Sequence, residues 1–152
     1  MITLIDGRSG SGKTELAREF ADAQVVHLDD VYPGWGGLDA ASAAVPGILA
    51  DHRWQRWDWA SGRPGEWHEL DPALPIVIEG VGAISRASVG LADRAIWLEL
   101  DADTRWRRAL EREPDFAQHW DDWAAQEEAF IARENPVALA TEVRRVDPWP
   151  HR

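Results

Sequence analysis

The sequence predicts an α/β domain in three layers, a mostly parallel five-stranded sheet with helices on both faces. Two observations carry this. Short continuous apolar runs recur along the chain, as strands buried on both faces require. Between them lie stretches with apolar residues at helical spacing or with turn residues, so strands and helices alternate. The 152 residues suffice for one domain with one hydrophobic core, and no repeat or linker divides residues 1–152.

Residues 2–5 ("ITLI") form the first run, ahead of a glycine-rich turn. Residues 14–21 read as a helix with Leu16, Ala17 and Phe20 on one face. "VVHL" at 25–28 is the second strand, closed by Asp29 and Asp30. "YPGWGG" at 32–37 is a loop by its turn residues, and Asp39 is placed to cap a helix over residues 40–51. Residues 53–75 read as irregular and tryptophan-rich, carrying Trp54, Trp57, Trp59 and Trp67 between the breakers "SGRPG" and "DPALP". "IVIEG" at 76–80 and "AIWLEL" at 95–100 are the third and fourth strands. Residues 103–113 form an arginine-rich helix. Phe116, Trp120, Trp123, Phe130 and Ile131 then recur at helical spacing, which predicts one long helix over residues 115–134. Residues 142–146 are a weaker fifth strand.

Composition narrows the function classes. Net charge is -11, which works against general binding to nucleic acid or to acidic membranes. No apolar run is long enough to cross a bilayer. There are no cysteines, which rules out disulfides, thiolate metal sites and cysteine nucleophiles. The N-terminal run has no basic-then-apolar leader ahead of it, so the chain reads as cytoplasmic.

Of sixteen basic residues only Lys13 is a lysine, and it stands in "GRSGSGKT", residues 7–14. That octapeptide fits G-x-x-x-x-G-K-S/T throughout, between a strand and a helix. The pattern has a physical logic. Gly7, Gly10 and Gly12 let the backbone wrap an anion closely, with Ser9 and Ser11 between them. Successive N–H groups form an anion nest backed by the following helix. Lys13 reaches the β- and γ-phosphates of a nucleotide, and the Thr14 hydroxyl ligates magnesium. A lysine is a point charge on a thin stem, whereas arginine is a wider planar fork.

The rest of the chain discriminates among phosphate-loop chemistries. A GTPase needs N-K-x-D to read its base, and there is no second lysine. The serine-glycine-glycine signature of transporter ATPases is absent. Small-molecule kinases remain. Asp29 ends a strand where an alcohol would meet the γ-phosphate, Glu79 ends another, and Arg105, Arg108 and Arg112 share one helical face. Glu127 reads as a carboxylate at the edge of an apolar stripe, and His27 as a residue within its strand. Arg53, Arg56 and Arg63 keep open an acceptor that is itself a phosphate. Trp35, Trp57 and Trp59 could wall a flat ring.

"HLDDVYPGW", "RWDWASG", "IVIEGVGAIS" and "LDADTRWRRALERE" occur in the order and approximate spacing of the uridine kinase-like group of phosphate-loop kinases, which the chain resembles over residues 2–113. The resemblance implies a nucleoside/nucleotide kinase-like fold and ATP-dependent phosphate transfer to a hydroxyl of a small, nucleoside-like metabolite, with Mg2+. It implies Asp29 as base and, with Lys13 and Arg108, as catalytic. It implies Arg105 and Arg108 as lid arginines on the phosphates, and Glu79 with Thr14 at the magnesium. Tyr32, Trp57, Asp58 and Arg63 would meet the substrate. The substrate lobe (residues 33–70) and lid (residues 103–115) are trimmed, and the histidine that follows the group's Tyr-Asp pair is absent. A nucleotide-binding module without efficient transfer stays open beside the kinase reading, as does a homodimer.

Overall fold

A computed structural model describes residues 1–145. Five strands form one sheet: β1 (Ile2–Gly7), β2 (Gln24–His27), β5 (Ile76–Glu79), β6 (Arg94–Glu99) and β7 (Glu142–Arg145). Their order is β2-β5-β1-β6-β7, and every neighbouring pair is parallel. The sequence-predicted strand over residues 142–146 is β7, with Val146 outside the described residues.

Alternation along the strands builds two cores. Leu4, Val26, Ile76 and Ile78 face one side with α2 (Leu38–Asp51), α4 (Ala102–Arg112) and α5 (Trp120–Glu134). Ile5, Val77, Ile96 and Leu98 face the other, under Leu16 and Ala17 of α1 (Lys13–Ala17). Burial on both faces is why these strands read as unbroken apolar runs. Two short helices, α3 (Arg86–Val89) and α6 (Pro136–Leu139), complete the connections.

Three expectations change. Residues 53–75 are not irregular: β3 (Arg53–Asp58) and β4 (Arg63–Glu69) form an antiparallel hairpin separate from the main sheet. Its cross-strand pairs are polar or aromatic, such as Trp54 stacked on His68 with ring centroids 4.4 Å apart, so no apolar alternation marks it. The tip closes where the Gly62 N–H donates to Asp58 O at 2.8 Å, and Gly62 takes φ 68°. The long helix over residues 115–134 is two elements, a 3-10 turn (Pro114–His119) and then α5. Asp39 lies in the first turn of α2, while the cap position belongs to Gly37. The N-cap at Asp101 is regular: its carboxylate accepts from Thr104 N at 2.9 Å and starts α4. Among the described residues no helix is long and apolar enough to cross a membrane.

Candidate active site

The carboxyl ends of β1, β2 and β5 open on one cavity of about 520 Å³, where ligands of open α/β sheets bind. It is lined by Ser9, Gly10, Gly12, Lys13 and Thr14 from the loop, by Asp29, Tyr32 and Glu79, and by Arg112. Residues far apart in sequence thus meet at the carboxyl end of one sheet.

The loop after β1 has the geometry of an anion cradle. Gly10 and Gly12 have φ 83° and 98°, the left-handed region. A Cβ on Gly10 would lie 2.2 Å from the backbone oxygen of Arg105, so only glycine fits there. Lys13 is buried, and its Nζ donates to Arg8 O at 3.0 Å, folding the ammonium back over the loop. Lys13 and Thr14 open α1, where first-turn N–H groups lack helical acceptors. The Ser11 hydroxyl turns inward toward Gly7: it is buried, without a hydrogen-bond partner, 2.6 Å from where a Gly7 Cβ would sit.

Beside the cradle the Thr14 hydroxyl donates to Glu79 at 3.2 and 3.3 Å. Glu79 is buried and also bonds His27 Nδ1 at 2.9 Å. That bond raises the His27 pKa, against an opposing effect of burial. Thr14 and Glu79 are the side chains that could hold magnesium, an ion that takes one or two protein ligands and fills its octahedron with phosphate oxygens and water.

Asp29 follows β2 in a 3-10 turn, Leu28–Asp30, and its side chain is open to the cavity. The protein crowding it displaces water from the carboxylate and raises its pKa. Glu79 adds to this, while Lys13 and Arg112 oppose it. The Trp59 indole, at the hairpin tip, donates to Asp29 O at 3.0 Å. Tyr32 lines the cavity with its ring, its hydroxyl being bonded to Val81 O at 2.7 Å.

The remaining predicted residues lie elsewhere. Arg105 is buried and donates to Leu100 O (3.0 Å) and Ser9 O (3.4 Å), bracing the loop from behind. Burial lowers its pKa, as does the neighbouring Arg8. Arg108 lies 3.4 Å from where a Gly12 Cβ would sit, in a second polar cavity of about 420 Å³ shared with Gly10, Glu15, Arg18 and Arg112. The two cavities flank the loop. Trp57 faces a groove against α2 instead of the main cavity. Asp58 caps the hairpin tip through Ala60 N (3.1 Å) and Ser61 Oγ (2.9 Å), and Arg63 is exposed opposite it.

Two carboxylates hold the loop: Glu127, expected at the edge of its apolar stripe, lies inside it, and Asp6 was not singled out in the sequence. Glu127, from α5, is 1% exposed and accepts from Ser9 N at 2.8 Å and Arg8 Nε at 2.9 Å. Its spacing from Trp123 and Phe130, both buried, is the signal that places it inside the stripe. Asp6 is fully buried and accepts from Gly7 N (2.7 Å), Gly82 N (3.2 Å) and Ile84 N (2.9 Å), joining the loop to the turn after β5. In the sequence it stands just after the apolar run 2–5, beside the glycine-rich turn.

Burial pushes the Asp6 carboxyl from 3.8 up to about 7, against the stabilising N–H bonds and the Lys13 charge. The folded state therefore holds this proton between those pH values and the unfolded chain does not. Stability from Asp6 is greatest below pH 4 and falls as pH rises to about 7, by on the order of 4 kcal/mol. Asp6→Asn, which mimics the protonated form, is expected to flatten that slope in urea titrations at pH 5 and pH 8. An equal pH dependence in both proteins would refute the assignment.

No family model matches this chain, and no curated protein matches it. Solved structures do. A possible uridine kinase from Bacillus stearothermophilus aligns with a TM-score of 0.60 at 21% identity, over 94% of this chain and 87% of that one. An uncharacterized protein from Eubacterium ventriosum aligns at 0.55 and 15% identity, over 96% and 88%. The shikimate kinase from Bacteroides thetaiotaomicron aligns at 0.53 and 15% identity, over 95% and 86%. Likeness at such identities speaks to architecture, and with the cradle at the end of β1 it gives this chain the three-layer α/β fold of the phosphate-loop kinases.

Proposed function

We propose that the protein is an ATP-dependent phosphotransferase, moving the γ-phosphate of magnesium-ATP to a hydroxyl of a small metabolite. The observation that carries this is the meeting of Lys13, Thr14, Glu79 and Asp29 around one cavity of about 520 Å³, a volume suited to a small-molecule ligand. The cradle at Gly10 and Gly12, and the Thr14–Glu79 pair, fit a magnesium nucleotide. When bound, the metal supplies charge neutralisation at the transferring phosphate.

The chain's own residues do the rest. Lys13 carries a positive charge to the phosphate oxygens, Arg112 lines the same cavity from α4, Arg108 stands across the loop beside Gly12, and Asp29 orients the acceptor hydroxyl and takes its proton. The raised pKa of Asp29 makes it a stronger base than an ordinary aspartate. Trp35 and Trp59, which line the cavity, favour a nucleoside-like acceptor over an open-chain polyol.

Acceptor-dependent release of ADP across a panel of nucleosides, sugars and amino alcohols tests the reading. Asp29→Asn is expected to slow release by roughly 10²–10⁴-fold with nucleotide affinity retained. No stimulation by any alcohol, with ATP still bound, would favour a binding module instead. The hairpin gives that alternative its one support, because Trp57, Asp58 and Arg63 stand away from the cavity.

A further inference from the structure

The β3–β4 hairpin turns Trp57 toward the groove on α2, Asp58 into its own tip and Arg63 to solvent. Trp59 is the hairpin residue that lines the main cavity. Its indole N–H does not point at the cavity's other side chains. It donates to the backbone oxygen of Asp29 at 3.0 Å, thirty residues away in the chain.

That oxygen belongs to a short element. Leu28–Asp30 is a single 3-10 turn, and the N–H groups of Val31 and Tyr32 both donate to Leu28 O, at 2.8 and 2.9 Å. The turn's own bonds thus converge on Leu28, and the Asp29 carbonyl is held from outside by Trp59. Such turns have poorer hydrogen-bond geometry than an α-helix and depend on their surroundings.

The donor is itself held on two sides. The Trp59 ring packs on Trp35 with centroids 5.3 Å apart at 60°. Trp35 is fixed in turn by α5, where Gln126 Nε2 donates to Trp35 O at 2.7 Å. On the chain side, the hairpin tip is closed by Asp58, which accepts from Ala60 N and Ser61 Oγ, and by the Gly62 N–H on Asp58 O. Packing on Trp35 needs only an aromatic face, which a phenyl ring also supplies. The N–H on Asp29 O needs indole.

We infer that Trp59 is a positioning residue for Asp29: its indole N–H fixes the turn from which the Asp29 carboxylate meets the acceptor hydroxyl. The inference rests on the phosphotransferase reading above and gives the hairpin a part in it. Fixing the carbonyl fixes the Asp29 backbone, and with it the distance from carboxylate to hydroxyl on which proton transfer depends.

Two variants separate the N–H from the ring. Trp59→Phe keeps an aromatic face and deletes the N–H, and Trp59→Ala deletes both. Hydrogen exchange of the Val31 amide, read by NMR without any ligand, is expected to be several-fold faster in both. With the alcohol that releases ADP fastest in the wild type, kcat is expected to fall about tenfold in both variants. KM for that alcohol is expected to rise in Trp59→Ala alone, and the thermal midpoint to fall in Trp59→Ala alone, because both follow the ring. Val31 exchange or kcat at the wild-type value in Trp59→Phe overturns the inference. Wild-type protein that binds ATP and releases ADP with no alcohol overturns the phosphotransferase reading instead, and Val31 exchange then decides by itself whether Trp59 holds the turn.

Discussion

Lys13→Ala is expected to abolish most nucleotide-dependent turnover, by roughly 10²–10³-fold, while leaving the fold intact. The ammonium is the only buried lysine charge the cavity has, and its neighbours define its place. Nζ rests on Arg8 O at 3.0 Å, so removing it deletes one hydrogen bond, worth about 1 kcal/mol. On the proposed reading the same charge also meets the transferring phosphate, and its loss costs more than that. Lys13→Arg is expected to recover little, because a planar guanidinium is too wide for a stem already buried against the loop. ADP release under saturating ATP, with a thermal melt as the folding control, checks both variants. Full turnover in Lys13→Ala would remove the loop from the mechanism.

Glu127→Ala is the second large effect, and it falls on stability first. The side chain satisfies Ser9 N and the Arg8 guanidinium from inside the protein. Its removal strands a buried N–H and a mostly buried cation. Breaking such a pair from one side costs about 3 kcal/mol here, the lower end of the usual range, since Arg8 keeps some solvent. For a domain of this length that is a fall in midpoint of roughly 6–12 °C. Nucleotide affinity is expected to fall as well, because Arg8 and Ser9 belong to the cradle. Glu127→Gln retains an acceptor oxygen and is expected to lose about half as much. A melt unchanged by Glu127→Ala would show that α5 does not hold the loop.

These two residues also mark how far the sequence could be read. Lys13 was legible because its neighbours form a contiguous pattern whose spacing has one physical purpose. The five strands were legible for the same local reason, burial on both faces. Glu127 was not, because a carboxylate within an amphipathic helix is usually solvated, and only the fold brings it to Ser9. The hairpin over β3 and β4 was hidden by its composition: arginine and tryptophan alternate there without separating polar from apolar. Arg105 and Arg108 share a helical face, yet one braces the loop and the other faces a cavity. Spacing assigns a face to a residue, and the packing of α4 against Gly10 decides what that face meets.

That close approach at Gly10 has a further consequence. The Arg105 backbone presses on the loop and its side chain is fastened to Ser9 O, so the helix that carries Arg108 and Arg112 is anchored to the cradle before any ligand arrives. The entropy of placing that helix beside the loop is lost once, on folding. Such preorganisation would let a loop of this kind receive an anion with little rearrangement.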